Sequence, residues 1–313
     1  MASGNLLFLL VLFLGPLVSL SSSNWVICWV GLELSFFGTI PLLMSDKDYF
    51  SLSKESVIKY FCIQAMGSGL LMVAGMMYFT SHSYSWFWNI LFISSLFVKL
   101  GVFPVHFWVP SVVTGLNWFP MFILLTWQKI GPFAFLINIL ENDIWISKGI
   151  LIFGSISAVV GAMIGLNQTS VRAMLGSSSV AHTGWGLVGA TLGNLWTFFL
   201  IYSFSFGLLM LFFVLEDDLM ISLGILSLSG LPPFMMFVGK WSILKSFFYS
   251  NFSWLLLLML ILGALLSLFF YLKFFYSYYL KFLMKMKLGS KLFGMASMIS
   301  FVIFGAIFLF LFS

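Results

Sequence analysis

Four ionisable side chains sit where an apolar chain has little reason to place them. Glu33 lies within WVGLELSFFGTIPLL, Lys99 within LFVKLGVFP, Lys129 within MFILLTWQKIGPF, and Lys240 follows the proline pair of SGLPPFMMFVGKW. A carboxylate and an amine on neighbouring helices can pair. A lysine held where water is scarce can take up and release a proton, unlike a fully hydrated one near neutral pH. Two histidines extend the set: His106, just beyond Lys99, and His182 in SSSVAHTGW. Imidazole titrates near neutral pH and is suited to relaying protons, although a histidine on an apolar helix is as readily a packing residue. The chemistry these residues point to is proton transfer. The plainer reading of each charge is a residue at a helix end.

Other chemistries find little support. Cys28 and Cys62 each lie alone in an apolar run and cannot ligate an iron–sulfur cluster by themselves. Gly184–Gly189, GWGLVG, matches a dinucleotide-binding pattern by letter, but it lies inside an apolar helix with no strand before it. No P-loop, metal cluster, haem motif or catalytic triad is visible. The sequence therefore predicts no cofactor and no metal bound by this chain.

The elements that must position these groups are membrane helices. The chain has 313 residues, is 62% apolar and 7% charged, and has a mean hydropathy of +1.13. No soluble domain of this length hides that much apolar surface, so the solvent is lipid. The net charge of +5 is small and its basic residues are scattered or in one late cluster, which argues against nucleic acid as a partner. A spanning helix needs about 20 apolar residues. Eleven segments qualify: 5–20, 24–44, 56–80, 85–103, 119–140, 147–165, 171–192, 194–215, 220–248 (interrupted), 252–279 and 295–312. The first lacks the positive flank of a secretory signal and is read as a retained helix. The expected fold is an all-α polytopic membrane domain over 1–313. Eleven spans put Lys47, Lys54, Arg172, Lys281, Lys285, Lys287 and Lys291 on the side of the N-terminus, which the positive-inside rule places in the cytoplasm or the mitochondrial matrix. The cluster at 281–291 is either an ordinary inside loop or a holder of anionic headgroups such as cardiolipin.

Two of the segments are broken at depth. In Leu96–Pro110, LFVKLGVFPVHFWVP, Gly101 and Pro104 interrupt the fourth span beside Lys99; in Ser229–Trp241, Pro232 and Pro233 interrupt the ninth beside Lys240. Proline removes a backbone donor, and lipid cannot satisfy the carbonyls set free. Five helices separate the two breaks. An odd-numbered repeat enters the membrane upside down relative to its twin, so the pattern predicts two inverted five-helix repeats, about 1–140 and 147–279, with 295–312 appended. Two unrelated proline kinks would leave the same trace. Each charge at mid-membrane costs roughly 2.5–3.5 kcal/mol on insertion scales, and four together on the order of 10 kcal/mol, so a compensating arrangement is expected. The simplest is a shared hydrated axis on which Glu33 and Lys99 pair.

These same runs carry a resemblance. WVGLELSFFGTIPLL, the KYF…Q run at Lys59–Gln64, KLGVFPVHFWVP, LLTWQKIGP, GLNQTSVRAMLGSSSVAHTGW and LSGLPPFMMFVGKW, in this order, resemble the antiporter-like subunit family of mitochondrial NADH:ubiquinone oxidoreductase (respiratory complex I), in particular its chain 2 members. The likeness runs from about residue 24 to 280. It implies a proton-translocating subunit of the mitochondrial inner membrane, with its N-terminus in the matrix and the other complex I subunits as partners. The NADH, FMN, iron–sulfur and ubiquinone sites would belong to those partners. It further implies that Glu33 pairs with Lys99, that Lys129 is a central proton carrier, that Lys240 lies on the route to the far side, and that His182 is the family's AHxGW histidine. One departure stands out: many members carry a glutamate directly after HFWVP, where this chain has Ser111. A free-standing cation/proton antiporter of the same fold is the alternative reading.

Overall fold

The computed structural model describes residues 3–44, 50–80, 86–140, 144–232, 234–250 and 252–285. The expected helix at 295–312 lies outside the described residues, as do Lys47, Pro233, Lys287, Lys291 and the side chain of Lys285. Every regular element described is a helix: α1 (Ser3–Ser21), α2 (Trp25–Leu43), α3 (Phe50–Thr80), α4 (Trp86–Leu100), α5 (Trp108–Val113), α6 (Trp118–Leu125), α7 (Trp127–Leu140), α8 (Ile144–Leu166), α9 (Val171–Thr191), α10 (Leu195–Leu215), α11 (Asp218–Ser229), α12 (Met235–Tyr249) and α13 (Trp254–Lys285). Among the described residues, six segments are long and apolar enough to cross a membrane, α6 and α7 counting as one, and α1, α4 and α11 are shorter apolar helices.

Both expected breaks are present, between α4 and α5 and between α11 and α12. A third was not expected. The segment read as one span over 119–140 is interrupted at Thr126, where α6 stops and α7 begins. The amide of Lys129 turns to the Thr126 carbonyl at 3.1 Å, a tighter three-residue step than the α-helical one. The short helix α5 was also unforeseen, because its six residues are too few to show a period.

The outward faces show why lipid is the solvent. Along α13, Leu255, Leu258, Leu262, Leu265 and Phe269 recur every three or four residues, each more than half exposed. Leaving one such side chain in water forgoes about 1.5–3 kcal/mol, so the stripe makes sense only against acyl chains. Glu55 and Lys59, one turn apart near the start of α3, form an exposed pair at 2.6 Å.

The chain divides into two compact units, residues 1–150 and 151–313. In the first, α1 and α2 form an antiparallel hairpin whose backbones touch. A Cβ added at Gly31 would lie 2.7 Å from the Gly15 carbonyl oxygen, and one at Gly38 would lie 2.7 Å from the Leu12 amide. Helix α7 packs against α1, α2 and α4, while α3 packs against α2, α4 and α5. The hairpin thus presents α2, and with it Glu33, to the ends of α4 and α7.

The second unit is built around α9. Every residue from Ala173 to Gly189 is buried, although the helix is rich in Ser, Gly and Ala. Its hydroxyls make this tolerable: Ser177, Ser178, Ser179 and Thr183 each donate to the carbonyl three residues back, at 2.7–2.8 Å. Helices α10, α12 and α13 pack on it. Helix α8 approaches through glycines. A Cβ at Gly161 would lie 2.5 Å from the Ala181 amide, and one at Gly184 would lie 2.6 Å from the Ala158 amide. Gly161 and Gly165, one turn apart, thus give α8 a face for close packing, Gly165 lying against Phe270 and the Ser177 hydroxyl. Because the obstacles are backbone, neither side can give way. Gly184→Leu is expected to cost about 3 kcal/mol or more by overpacking, which a fall in the yield and thermal stability of the purified membrane protein would register.

Candidate functional site

The first unit gathers its charges at the end of α4. Lys99 sits in the last turn of this helix, where a cation is favoured by the exposed carbonyls. Its Nζ lies 3.1 Å from Glu33 Oε1, with side-chain exposures of 5% and 14%. The missing side chain of Gly67 on α3 lets the lysine stem pass, since a Cβ there would stand 3.3 Å from Lys99 Cγ. The pair inferred from cost is thus formed.

The carbonyls released by the break are met by named donors. Phe97 O accepts from the amides of Gly101 and Val102, at 2.9 and 3.0 Å. The indole of Trp108 donates to Val98 O at 3.2 Å, and the Gln64 amide donates to Lys99 O at 3.4 Å. Gly101 makes the turn with φ +70°, a left-handed conformation that glycine adopts without strain. Without Trp108 and Gln64 these carbonyls would be stranded in an apolar medium, so α5 and α3 are part of the site's construction.

Lys129 is brought to the same place from α7 and is 5% exposed. Lys99 and Lys129 line one small cavity of about 20 Å³ together with Ser35, Tyr60, Gln64 and Gln128. That is room for one water molecule, by the criterion of about 10–15 Å³ per water. Gln128 is locked to α2: its amide donates to Ser35 O at 3.1 Å and accepts from the Ser35 hydroxyl at 3.2 Å. Pro132, one turn further on and also lining the cavity, withholds the amide that the Gln128 carbonyl would otherwise receive. The cavity therefore has the side chains of two amines, two amides and two hydroxyls around it, among apolar neighbours.

In the second unit Lys240 is 6% exposed and points back at the end of the preceding helix. Its Nζ donates to Ser229 O, the last carbonyl of α11, at 2.7 Å. Gly230 follows with φ +80°, and a Cβ there would lie 2.9 Å from the lysine nitrogen, so a side chain would displace it. The amine also stands 5.8 Å from the centre of the Trp185 ring. His182 is 4% exposed; its Nε2 lies 3.1 Å from the Tyr271 hydroxyl, and its ring packs against Tyr202 at 4.9 Å. Either histidine tautomer suits this partner, because a phenol both donates and accepts.

His106 stands apart from the cavity of Lys99 and Lys129. It is 1% exposed in the loop after the break, sandwiched by Phe107 at 4.0 Å and Phe103 at 5.8 Å. Aromatic rings flank it, while neither of its ring nitrogens has a hydrogen-bond partner among the described residues. Ser111 spends its hydroxyl on the Trp108 carbonyl at 2.9 Å and adds no charge. Reasoning from charge alone missed the neutral groups: Gln64, Tyr60, Gln128 and Ser35 around the cavity, and Tyr271 beside His182. The one signal for them was spacing, since Tyr60 and Gln64 lie one turn apart on α3 and Gln128 adjoins Lys129.

Comparison with known proteins bears on this arrangement. The family described as "NADH:quinone oxidoreductase/Mrp antiporter, TM" matches residues 22–218. Among relatives, the NADH-ubiquinone oxidoreductase chain 2 of Albinaria caerulea is 36% identical over 258 residues, which is 82% of this chain and 83% of that protein. That of Anopheles gambiae is 38% identical over 268 residues, covering 77% of this chain and 76% of the other. The chain belongs to the NADH-ubiquinone oxidoreductase chain 2 family. A chain of respiratory complex I from Thermus thermophilus shares the fold of this family member, with a TM-score of 0.77 at 21% identity, covering 97% of this chain and 78% of that one. The resemblance read from the motifs is thereby established, and with it an all-helical, multi-pass membrane protein.

For this family member the ion pair makes a direct test. Removing one partner of a buried pair strands the other and costs about 3–5 kcal/mol. Glu33→Gln or Lys99→Met alone is expected to lower the thermal stability of the assembled protein markedly. The double variant Glu33→Gln/Lys99→Met is expected to recover most of that loss, and a double-mutant cycle on melting temperature reads the difference.

Proposed function

We propose that this chain carries protons across the mitochondrial inner membrane as the antiporter-like subunit of NADH:ubiquinone oxidoreductase. The observation that supports this most directly is the small polar cavity shared by Lys99 and Lys129, with Glu33 paired to Lys99 on its rim. Such a site holds a titratable amine, a neighbouring charge whose pairing can change, and room for a bridging water. When the Glu33–Lys99 pair is closed, Lys99 is neutralised and Lys129 accepts a proton more readily. When the pair opens, the freed positive charge of Lys99 repels a proton on Lys129 across the same cavity. Like charges a few ångströms apart in a poorly hydrated site interact by several kcal/mol, enough to change occupancy by orders of magnitude. Proton movement thus becomes coupled to a local charge displacement, which redox chemistry elsewhere in the complex can drive.

Lys240 and His182 supply the corresponding groups in the second unit. Lys240 holds its proton against a helix C-terminus, where the carbonyl of Ser229 stabilises the cation. His182 with Tyr271 offers a donor–acceptor couple that passes a proton without moving heavy atoms. His106 is assigned packing and, at most, a minor part in the relay.

In this reading the chain contributes translocation, while NADH, FMN, the iron–sulfur clusters and ubiquinone are handled by partner subunits. Its N-terminus faces the matrix, and phospholipid surrounds the exposed stripes. All the relatives compared at 34–38% identity bear the name NADH-ubiquinone oxidoreductase chain 2, which favours a complex I subunit over a free-standing antiporter. The two differ in a simple way: an antiporter exchanges cations for protons in liposomes on its own, whereas this chain is expected to do so only within the assembly.

Lys129→Met keeps the length of the side chain and removes the titratable amine. It is expected to leave assembly intact and to lower the number of protons moved per electron in vesicles containing the complex. An unchanged ratio in the assembled variant would refute the role given to Lys129.

A further inference from the structure

A second opening lies in the first unit, on the same two helices that line the cavity of Lys129. A pocket of about 180 Å³ sits at the turn between α1 and α2, lined by Ser22, Cys28 and Asn138 among aromatic side chains. It lies at the ends of α1, α3 and α7, hence on the face opposite the N-terminus. The Cys28 thiol donates to the Ser19 carbonyl at 2.8 Å, and the Ser22 hydroxyl lies beside it.

Three tiers lead inward from there. On α2, Cys28, Leu32 and Ser35 follow one face at spacings of four and three residues; on α7, Phe135, Gly131 and Gln128 do the same in the reverse direction. The outer tier is the pocket. The inner tier, Ser35 and Gln128, lines the cavity with Lys129. In the middle tier stand Ser19, Gly131 and Leu32. A Cβ at Gly131 would stand 3.3 Å from the Ser19 hydroxyl and would collide with Leu32 Cδ2. The leucine methyl therefore fills the room that the glycine leaves. Leu32 also lines the cavity itself, so one side of this side chain faces Lys129 and the other faces the way out.

We propose that Leu32, seated against Gly131, is a hydrophobic gate on a water path between the Lys129 cavity and the face of the membrane opposite the N-terminus. This rests on the role given to Lys129 above and adds to it a route and a plug. With Leu32 in place the middle tier is dry, because a hydrophobic constriction gates by dewetting. When its side chain swings toward the cavity, the space over Gly131 admits water between the Ser19 hydroxyl and the Gln128 amide. A proton on the Lys129 ammonium then passes to that water and leaves as hydronium through the pocket, with only N–H and O–H bonds exchanged. The glycine at 131 is what makes the swing possible, since any side chain there would occupy the vacated space.

The test uses the assembled complex in proteoliposomes with a pH-sensitive dye inside. Leu32→Ala is expected to raise passive proton permeability several-fold without substrate, and to lower the protons moved per electron while NADH:ubiquinone electron transfer continues. Adding Lys129→Met to Leu32→Ala is expected to suppress that leak. Gly131→Ala, whose Cβ displaces the Leu32 methyl and itself fills the space over residue 131, is expected to lower pumping without any leak. Should Leu32→Ala prevent assembly, the native thiol serves instead. A charged, membrane-impermeant methanethiosulfonate applied to the face opposite the N-terminus is expected to modify Cys28 and to slow pumping. The gate is overturned if Leu32→Ala assembles without a leak, if the leak is indifferent to Lys129→Met, or if Cys28 yields only to a lipophilic maleimide, which would make the pocket a lipid site. Failure of Lys129→Met alone to change pumping overturns the parent reading; a Lys129 effect without a Leu32 effect overturns only the gate.

Discussion

The ion pair between Glu33 and Lys99 is the constraint around which the first unit is arranged. Either charge alone in the hydrocarbon slab is costly, and together they are tolerable only if the rest of the local polarity is satisfied. Placing the lysine at the end of α4 brings a second cost, because a helix that stops in lipid exposes its last carbonyls. The solution is collective. Trp108 comes from α5, Gln64 from α3 and the carboxylate from α2, so the pair cannot form until four helices have met. Conversely, those helices have a reason to meet only if the pair is there. Interdependence of this kind makes a buried polar site specific in geometry even when its net contribution to stability is small.

The second unit meets the same problem with different parts. Here the lysine belongs to the helix after the break, and its amine reaches back to the final carbonyl of the helix before it. No acid is called on; the helix end supplies the negative pole. Both breaks nevertheless share a pattern: a left-handed glycine ends the helix, a proline follows within a few residues, and a lysine amine lies nearby. In each case the break creates backbone polarity at depth and the lysine exploits it. A lysine held by a carboxylate and one held by a carbonyl differ in how they respond to a neighbouring charge. The first can be switched by moving its partner, while the second is set by a rigid helix.

Close approach of backbones makes room for this chemistry. Glycines on α1 and α2, and again on α8 and α9, let helices touch without side chains between them. Serines within these helices donate to their own backbone, as Ser177, Ser178 and Ser179 do on α9. A core of that kind has little oily filling where helices cross, and small gaps beside a lysine can hold water. The same economy explains why one side chain, Leu32 over Gly131, is sufficient to separate two polar spaces.

Much of this was legible in the residues. Composition and run length dictate a helical membrane protein, because lipid leaves an unclosed backbone no other way to satisfy itself. Glycine and proline announced two of the breaks, and the cost of burial singled out Glu33, Lys99, Lys129 and Lys240 without reference to any relative. The pairing of Glu33 with Lys99 followed from the need to neutralise both. What the chain could not reveal is whatever depends on which faces meet. The interruption at Thr126 has no glycine or proline at the turn itself; the Thr126 hydroxyl bonds back to the Phe122 carbonyl there. The neutral members of the site, Gln64, Gln128, Tyr60 and Tyr271, carry no charge and so pay no conspicuous penalty that a sequence reading would notice. His106 and His182 looked alike in one dimension. Only the tertiary structure placed one among phenylalanines and the other against a tyrosine hydroxyl, because a side chain's partner is set by the neighbouring helix and not by its own.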